Sequence, residues 1–309
     1  MTGPLIAASS GAGTVKTRAA ALSIASNSVL IVLKLAAGAI TGSVAIITEA
    51  MHSSVDLIAS IVAYVSVRTA DKPADAEHPY GHDKVENLAA AIEALLILVG
   101  AGVIVFESVR RLSNGAEVHS LGIGIGVIAF SVLANVVVST VLARRARETD
   151  SPALEGDAAH LRTDAATSAA VLVGLVLVQV TGATWLDPVI ALAVAAAIVY
   201  AGIKLLLRAS RVLVDEALPP EELDAVRLAL EEFGPRGVCG YHKLRARRAG
   251  SRRYVDLHVQ FVAGTTLEAA HRTAHQLQDA IRERLRGADV LIHLEPEASV
   301  HPGTELSTE

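Results

Sequence analysis

TEAMHSSVDLIAS (residues 48–60) and DAAHLRTDAATSAAVLVGLVLV (residues 157–178) each carry a His-x-x-x-Asp pair inside an apolar stretch. The pairs are His52 with Asp56 and His160 with Asp164. Four-residue spacing puts an imidazole and a carboxylate on one face of a helix. Ionisable groups within a hydrocarbon-spanning helix are costly unless paired or hydrated, so they point to function. Two such helices offer four N/O ligands, the number a tetrahedral Zn²⁺ site takes. The chain therefore reads as a membrane protein that handles a divalent metal. The plainer reading, interhelical hydrogen bonds that only hold the bundle, uses the same residues. One His-x-x-x-Asp is weak evidence, but two in the cytoplasmic halves of two spans are not.

Composition agrees. Of 309 residues, 52% are hydrophobic and only 19% charged, which places the chain among membrane proteins. Aromatics are 3%, so Ala, Val, Leu and Ile supply the apolar surface. A net charge of -5 gives no reason to expect nucleic-acid binding. The single cysteine, Cys239, excludes an intramolecular disulfide framework and any Cys₂ or Cys₄ zinc motif, and reads as a small buried residue.

Six spans of about 20 residues follow from the hydropathy, near 19–41, 43–67, 86–109, 120–143, 161–181 and 187–207. Six long buried helices in a soluble protein would need far more amphipathic surface. Residues 1–15, rich in Gly, Ala, Ser and Thr, are expected to be a disordered lead without a cleaved signal peptide. Basic residues gather on one side: Lys16 and Arg18; Arg68, Lys72 and Lys84; Arg144, Arg145 and Arg147; Arg208 and Arg211. Only Arg110 and Arg111 lie on the other, so both termini are expected in the cytoplasm. Lys34, inside the first span, needs a polar partner or a snorkelling route.

The membrane domain is expected over 16–208, a soluble domain over 209–297 and a loose tail over 298–309. Pro219-Pro220 and EELDAVRLALEEFG open a helix with an acidic first turn. Two alternating segments, VCGYHKLRARRAG and SRRYVDLHVQFVAG, flank a Gly-Ser turn; a helical stretch at 265–287 and the strand ADVLIHLEP follow. The order αββαβ is that of a small α+β ferredoxin-like domain.

Two further clusters carry metal-ligand chemistry. The loop DKPADAEHPYGHDKVEN (71–87) spaces Asp75, His78 and His82 as D-x-x-H-x-x-x-H, with Pro79 and Gly81 permitting a bend. The soluble domain holds His242, His258, His271 and His293, with Glu295 nearby. By spacing alone these read as separate surface or core histidines. His119, His275 and His301 are set aside as uninvolved.

The segment NSVLIVLKLAAGAITGSVAIITEAMHSSVDLIAS, the loop HPYGHDKVE, the span-5 HLRTDAATS and the terminal IHLEP, in this order, resemble the cation diffusion facilitator family of metal/proton antiporters. The likeness runs from about residue 17 to 297. It implies six transmembrane helices, a cytoplasmic ferredoxin-like domain and a homodimer in a lipid bilayer. It implies a transport site of His52, Asp56, His160 and Asp164, with His at the first position resembling the zinc-preferring pattern. Asp75, His78 and His82 match the family's loop site. His242, His258, His271 and His293 match positions that bind regulatory zinc in some members, with Glu295 standing where relatives can carry Asp. The likeness further implies that Lys84 pairs with Asp215 and locks the dimer.

The expected function is efflux of Zn²⁺ in exchange for protons, across a plasma or inner membrane. One rival keeps the fold and exports Fe²⁺, Mn²⁺, Co²⁺ or Cd²⁺. A second is a membrane metal sensor that does not transport. A channel is disfavoured, because a tetrahedral ligand set holds its ion too tightly for rapid conduction.

Overall fold

Six long helices come first: α1 (Leu5–Thr41), α2 (Val44–Ala70), α3 (Lys84–Asn114), α4 (Gly122–Thr149), α5 (Pro152–Thr181) and α6 (Leu186–Leu213). The structure, a computed structural model, describes residues 5–41, 44–114, 122–183, 185–299 and 306. His119 and His301 lie outside the described residues, as do 42–43 of the first turn. Contacts divide the chain into two compact units at Ser210/Arg211.

The first unit is built inside out relative to a soluble protein. Val29, Val32, Ile58, Val99, Phe106, Leu133, Val176, Val180 and Tyr200 face outward, while Ser23, Asn27, Asp56, Ser60, Glu93, Asp157 and His160 are buried. That is the arrangement a hydrocarbon solvent demands. Helices meet on alanines, among them Ala59, Ala63, Ala90, Ala94, Ala158 and Ala195, all almost fully buried. Small residues let backbones approach where lipid supplies no hydrophobic drive. Among the described residues, four helices contain windows long and apolar enough to cross a membrane: Gly13–Ala37, Lys84–Arg110, Gly126–Thr149 and Pro188–Leu213. The other two long helices, α2 and α5, carry the His-x-x-x-Asp pairs, and Ser53, Asp56 and Ser60 of α2 and Asp157 and His160 of α5 are buried.

Residues 5–15 are helical, where a disordered lead was expected. Alanine is the best helix former, and extending an existing helix costs far less than nucleating one. Farther along the same helix, Lys16 is held by Glu86 at the start of α3 (Nζ–Oε1 2.7 Å). Lys34, the cation inside the first span, donates to Ser53 Oγ at 2.7 Å.

The second unit contains α7 (Pro220–Glu231), β1 (Val238–Ala249), β2 (Arg252–Phe261), α8 (Leu267–Arg284) and β3 (Ala288–Pro296). Pro220 occupies the first turn of α7, and Thr266 caps α8 by accepting from the Ala269 N–H. The sheet order is β1-β2-β3. β1 and β2 form an antiparallel hairpin, and α8 is the crossover to the parallel β3. Strand alternation sends Val255, Leu257, Val259 and Phe261 into a core with Val226, Leu230, Leu277, Ile281 and Val290. Asp256, His258 and Gln260 therefore take the opposite face. Within the stretch expected to be a loose tail, Leu306 packs on this core and donates its N–H to the Cys239 carbonyl at 3.0 Å.

Candidate metal centres

Three groups of His and carboxylate ligands lie close enough to share one ion among the described residues. The first joins two helices. His160 of α5 has its Nε2 3.4 Å from Asp56 Oδ1 of α2 and 3.8 Å from Asp164 Oδ2 one turn along its own helix. Asp56 and His160 are 6% exposed. Asp56 Oδ1 and both His160 nitrogens are buried without a hydrogen bond among the described residues. Buried polar atoms of this kind need a partner, and the donor set of one imidazole and two carboxylates suits a cation. The backbone of His52 lies in α2, four residues before Asp56, and its side chain is outside the described residues.

The second group sits in the loop between α2 and α3. Asp75 Oδ1 accepts the backbone N–H groups of Glu77 (3.0 Å) and His78 (2.7 Å), an Asx-type turn. Gly81 takes φ +86°, which bends the chain back. The bend brings the His78 and His82 rings to 4.6 Å, with His82 Nε2 3.4 Å from Asp75 Oδ2. The His78 N–H, foremost, holds the Asp75 carboxyl below its ordinary range. It is thus an ionised carboxylate on an exposed loop.

The third group lies on the open face of the sheet. His242↔His258 and His258↔His293 are register partners, so three histidines from three strands form one row. Glu295, two residues along β3, returns to the same face and receives both neighbours. Its oxygens lie 2.7 Å from His242 Nε2 and 2.6 Å from His258 Nδ1. Gln260 Nε2 donates to it at 3.3 Å. Hydrogen bonding from His258, then from His242 and Gln260, pulls the Glu295 carboxyl down to about 2. His293 is exposed, with its ring 4.6 Å from that of His258 and its Nε2 4.0 Å from Glu295. Register shifts just after His242, with Lys243 at φ +51°, mark a bulge that sets the aim of β1 at this point.

His271 is not in that grouping. It lies on α8, and its Nε2 is 3.1 Å from that of His275. The i, i+4 spacing of HRTAH is the sequence signal for this pair, which brings in His275 beside the expected His271. Asp215, at φ +62°, accepts from Arg247 Nη1 at 2.8 Å within the second unit. Lys84 opens α3 in the first.

Comparison with known proteins matches both units. The cation efflux transmembrane domain profile covers residues 20–214, and that of the cation efflux protein cytoplasmic domain covers 218–297. An uncharacterised transporter of Synechocystis sp., sll1263, is 37% identical over 277 residues, 90% of this chain and 89% of its own. The cation-efflux pump FieF of Salmonella newport is 32% identical over 289 residues, covering 92% and 94% of the two chains. A solved structure of CzrB in its Zn form is 36% identical over 28% of this chain and 98% of its own, with a TM-score of 0.27.

Proposed function

The chain belongs to the cation diffusion facilitator family, membrane proteins of divalent-metal efflux, and from that premise we propose that its cargo is Zn²⁺ and its counter-ion the proton. The observation that carries this reading is the meeting of His160 with Asp56 and Asp164 between α2 and α5. His52, four residues before Asp56 in the sequence, is the fourth ligand this reading calls for, giving two imidazoles and two carboxylates. Borderline ligands of this kind in a tetrahedral number suit zinc better than an all-oxygen set would. Protons and metal compete for the same four side chains, because binding needs neutral imidazoles and ionised carboxylates. That competition is the physical basis of exchange.

At neutral pH on the cytoplasmic side, the quartet takes the metal. Facing the other side, incoming protons load His160, His52 and the carboxylates, and the metal leaves. Both termini and the ferredoxin-like unit face the cytoplasm of a plasma or inner membrane, on the evidence of the basic residues at span ends. The protein works as a homodimer, in keeping with the match of its second unit to the family's cytoplasmic domain. Zinc held by His242, His258 and Glu295, and by the Asp75 loop, regulates the exchange by favouring one conformation over another.

The test is zinc uptake by proteoliposomes with and without an imposed pH gradient, for wild type and for Asp56→Ala/Asp164→Ala. Uptake that follows the gradient and vanishes in the double variant supports the reading. Folded wild type that carries no zinc, or carries it indifferently to the gradient, rejects it.

A further inference from the structure

Two fully buried carboxylates in the membrane unit take no part in the metal site. Glu93 of α3 and Asp157 of α5 are both 0% exposed. Glu93 has neither carboxyl oxygen hydrogen-bonded among the described residues. Its carboxylate lies over Gly156, where a Cβ would come within 2.2 Å of Oε2 and within 3.2 Å of the Ala90 backbone. A glycine beside Asp157 thus makes the room that Glu93 occupies. Asp157 Oδ1 accepts from Ser23 Oγ (3.1 Å) and Ser60 Oγ (3.2 Å), while Oδ2 is unbonded. Ser60 in turn receives Asn27 Nδ2 at 2.9 Å, and the same amide reaches the Asp56 carbonyl at 3.5 Å.

Among the described residues no cation reaches Glu93. From α5 the charged group that reaches it is Asp157. On α3 itself Glu86, two turns earlier, is taken by Lys16 and Ser151. From α6 the residues packed on α3 are apolar, Ile198, Leu205 and Ala209 among them. Among the described side chains of α2 the buried charged group is Asp56, at the candidate metal site, and His160 of the same site faces Asp157. Two ionised carboxylates so placed would be prohibitive in a dry interior. The oxygen-only donor set, two carboxyls and two hydroxyls, does not suit zinc, but it suits a proton.

We propose that Glu93, backed by Asp157, binds a proton in the metal-free transporter and gives it up when a divalent cation fills the site one helical turn along α5. The inference rests on the reading of metal/proton exchange and adds a proton carrier outside the metal ligands. A dication next to Asp157 makes the negative form of Glu93 cheaper, so metal binding and proton release are linked.

The experiment uses the full chain in liposomes with Zn²⁺ as the probe. Protons released per zinc bound are counted with a pH-indicating dye, and the C=O stretch of protonated carboxyls is followed by infrared difference spectroscopy. Wild type is expected to show a protonated-carboxyl band that bleaches on zinc addition. Glu93→Gln is expected to bind zinc, lack that band and release one proton fewer per ion. Glu93→Asp should shift the band instead of removing it, and serves where the Gln variant does not fold. A wild type with no such band overturns the proposal. So does a Glu93→Gln chain with the wild-type band and proton count, or one that no longer binds zinc, since Glu93 would then belong to the metal site. If wild-type zinc flux ignores the pH gradient, antiport itself fails, while the band still decides whether Glu93 carries a proton.

Discussion

His160 stands closer to Asp56 on another helix than to Asp164 on its own: 3.4 Å against 3.8 Å. The helical repeat fixes the second distance, whereas the first depends on how α2 and α5 pack. If the cluster is the transport site proposed above, its metal affinity is a property of the α2–α5 spacing. On that proposal, a rearrangement that parts these helices by about an ångström would release the ion without changing a ligand, as alternating access requires.

Asp56→Asn keeps the shape of that side chain and removes its charge. Loss of an outer partner of a metal ligand already costs about 10–100-fold in affinity or activity, and a direct ligand costs at least as much. Zinc flux should fall by that margin or more. The variant should still fold, because replacing a buried carboxylate by an amide removes a desolvation cost. Flux at the wild-type rate would remove Asp56 from the site.

Glu295→Gln tests the sheet-face cluster through its pH dependence. The folded-state value near 2 lies below the ordinary 4.5. Stability from this carboxylate is therefore fully present above about pH 4.5 and is lost as pH falls through about 2. Between neutral and mildly acidic pH, Glu295 therefore stays ionised. In a chain whose transport site carries Asp56→Asn, Glu295→Gln should weaken zinc binding about tenfold or more. The number of protons released per zinc should not change. Calorimetric titration in two buffers of different ionisation enthalpy measures both.

The extent to which these sites were legible follows from how local each is. Both His-x-x-x-Asp pairs could be read because helical spacing is a sequence property, and the Asp75 loop because its ligands are near neighbours. The row His242, His258 and His293 could not be derived from spacing. It depends on a hairpin register with a bulge after His242 and on a parallel crossover through α8. Only the family resemblance grouped those residues, and it also drew in His271, which the fold pairs with His275. The contact between Lys16 and Glu86 was invisible, since 70 residues separate them and each resembles an ordinary span-end charge. Composition misread residues 5–15, because Ala, Ser and Gly are shared by disordered leads and by small-residue helices.

Asp75→Ala should disable the loop cluster by two routes. It removes a ligand, and it leaves the N–H groups of Glu77 and His78 without their shared acceptor. Zinc binding by the loop should drop about tenfold or more, and the His78–His82 approach should loosen. Since the loop is exposed, melting of the membrane unit should move little. Metal titration alongside thermal melting separates the two effects. A large fall in melting temperature would show the loop to be structural.

Lys16 and Glu86 form a buried pair, with side chains 5% and 1% exposed at 2.7 Å, and Ser151 donates to the second oxygen of Glu86. The pair ties α1 to the start of α3 and to the turn before α5. Such a pair contributes little against an apolar substitute, but removing one partner strands the other charge. Lys16→Met should therefore destabilise the membrane unit by about 3–5 kcal/mol. Lys16→Met/Glu86→Gln should recover much of that, because the stranded carboxylate becomes a neutral amide still within reach of Ser151. Melting temperatures in detergent for wild type, both single variants and the double variant complete the cycle. A double variant no more stable than Lys16→Met alone would mean that Glu86 does not depend on Lys16, and that Ser151 and the neighbouring backbone suffice to hold its charge.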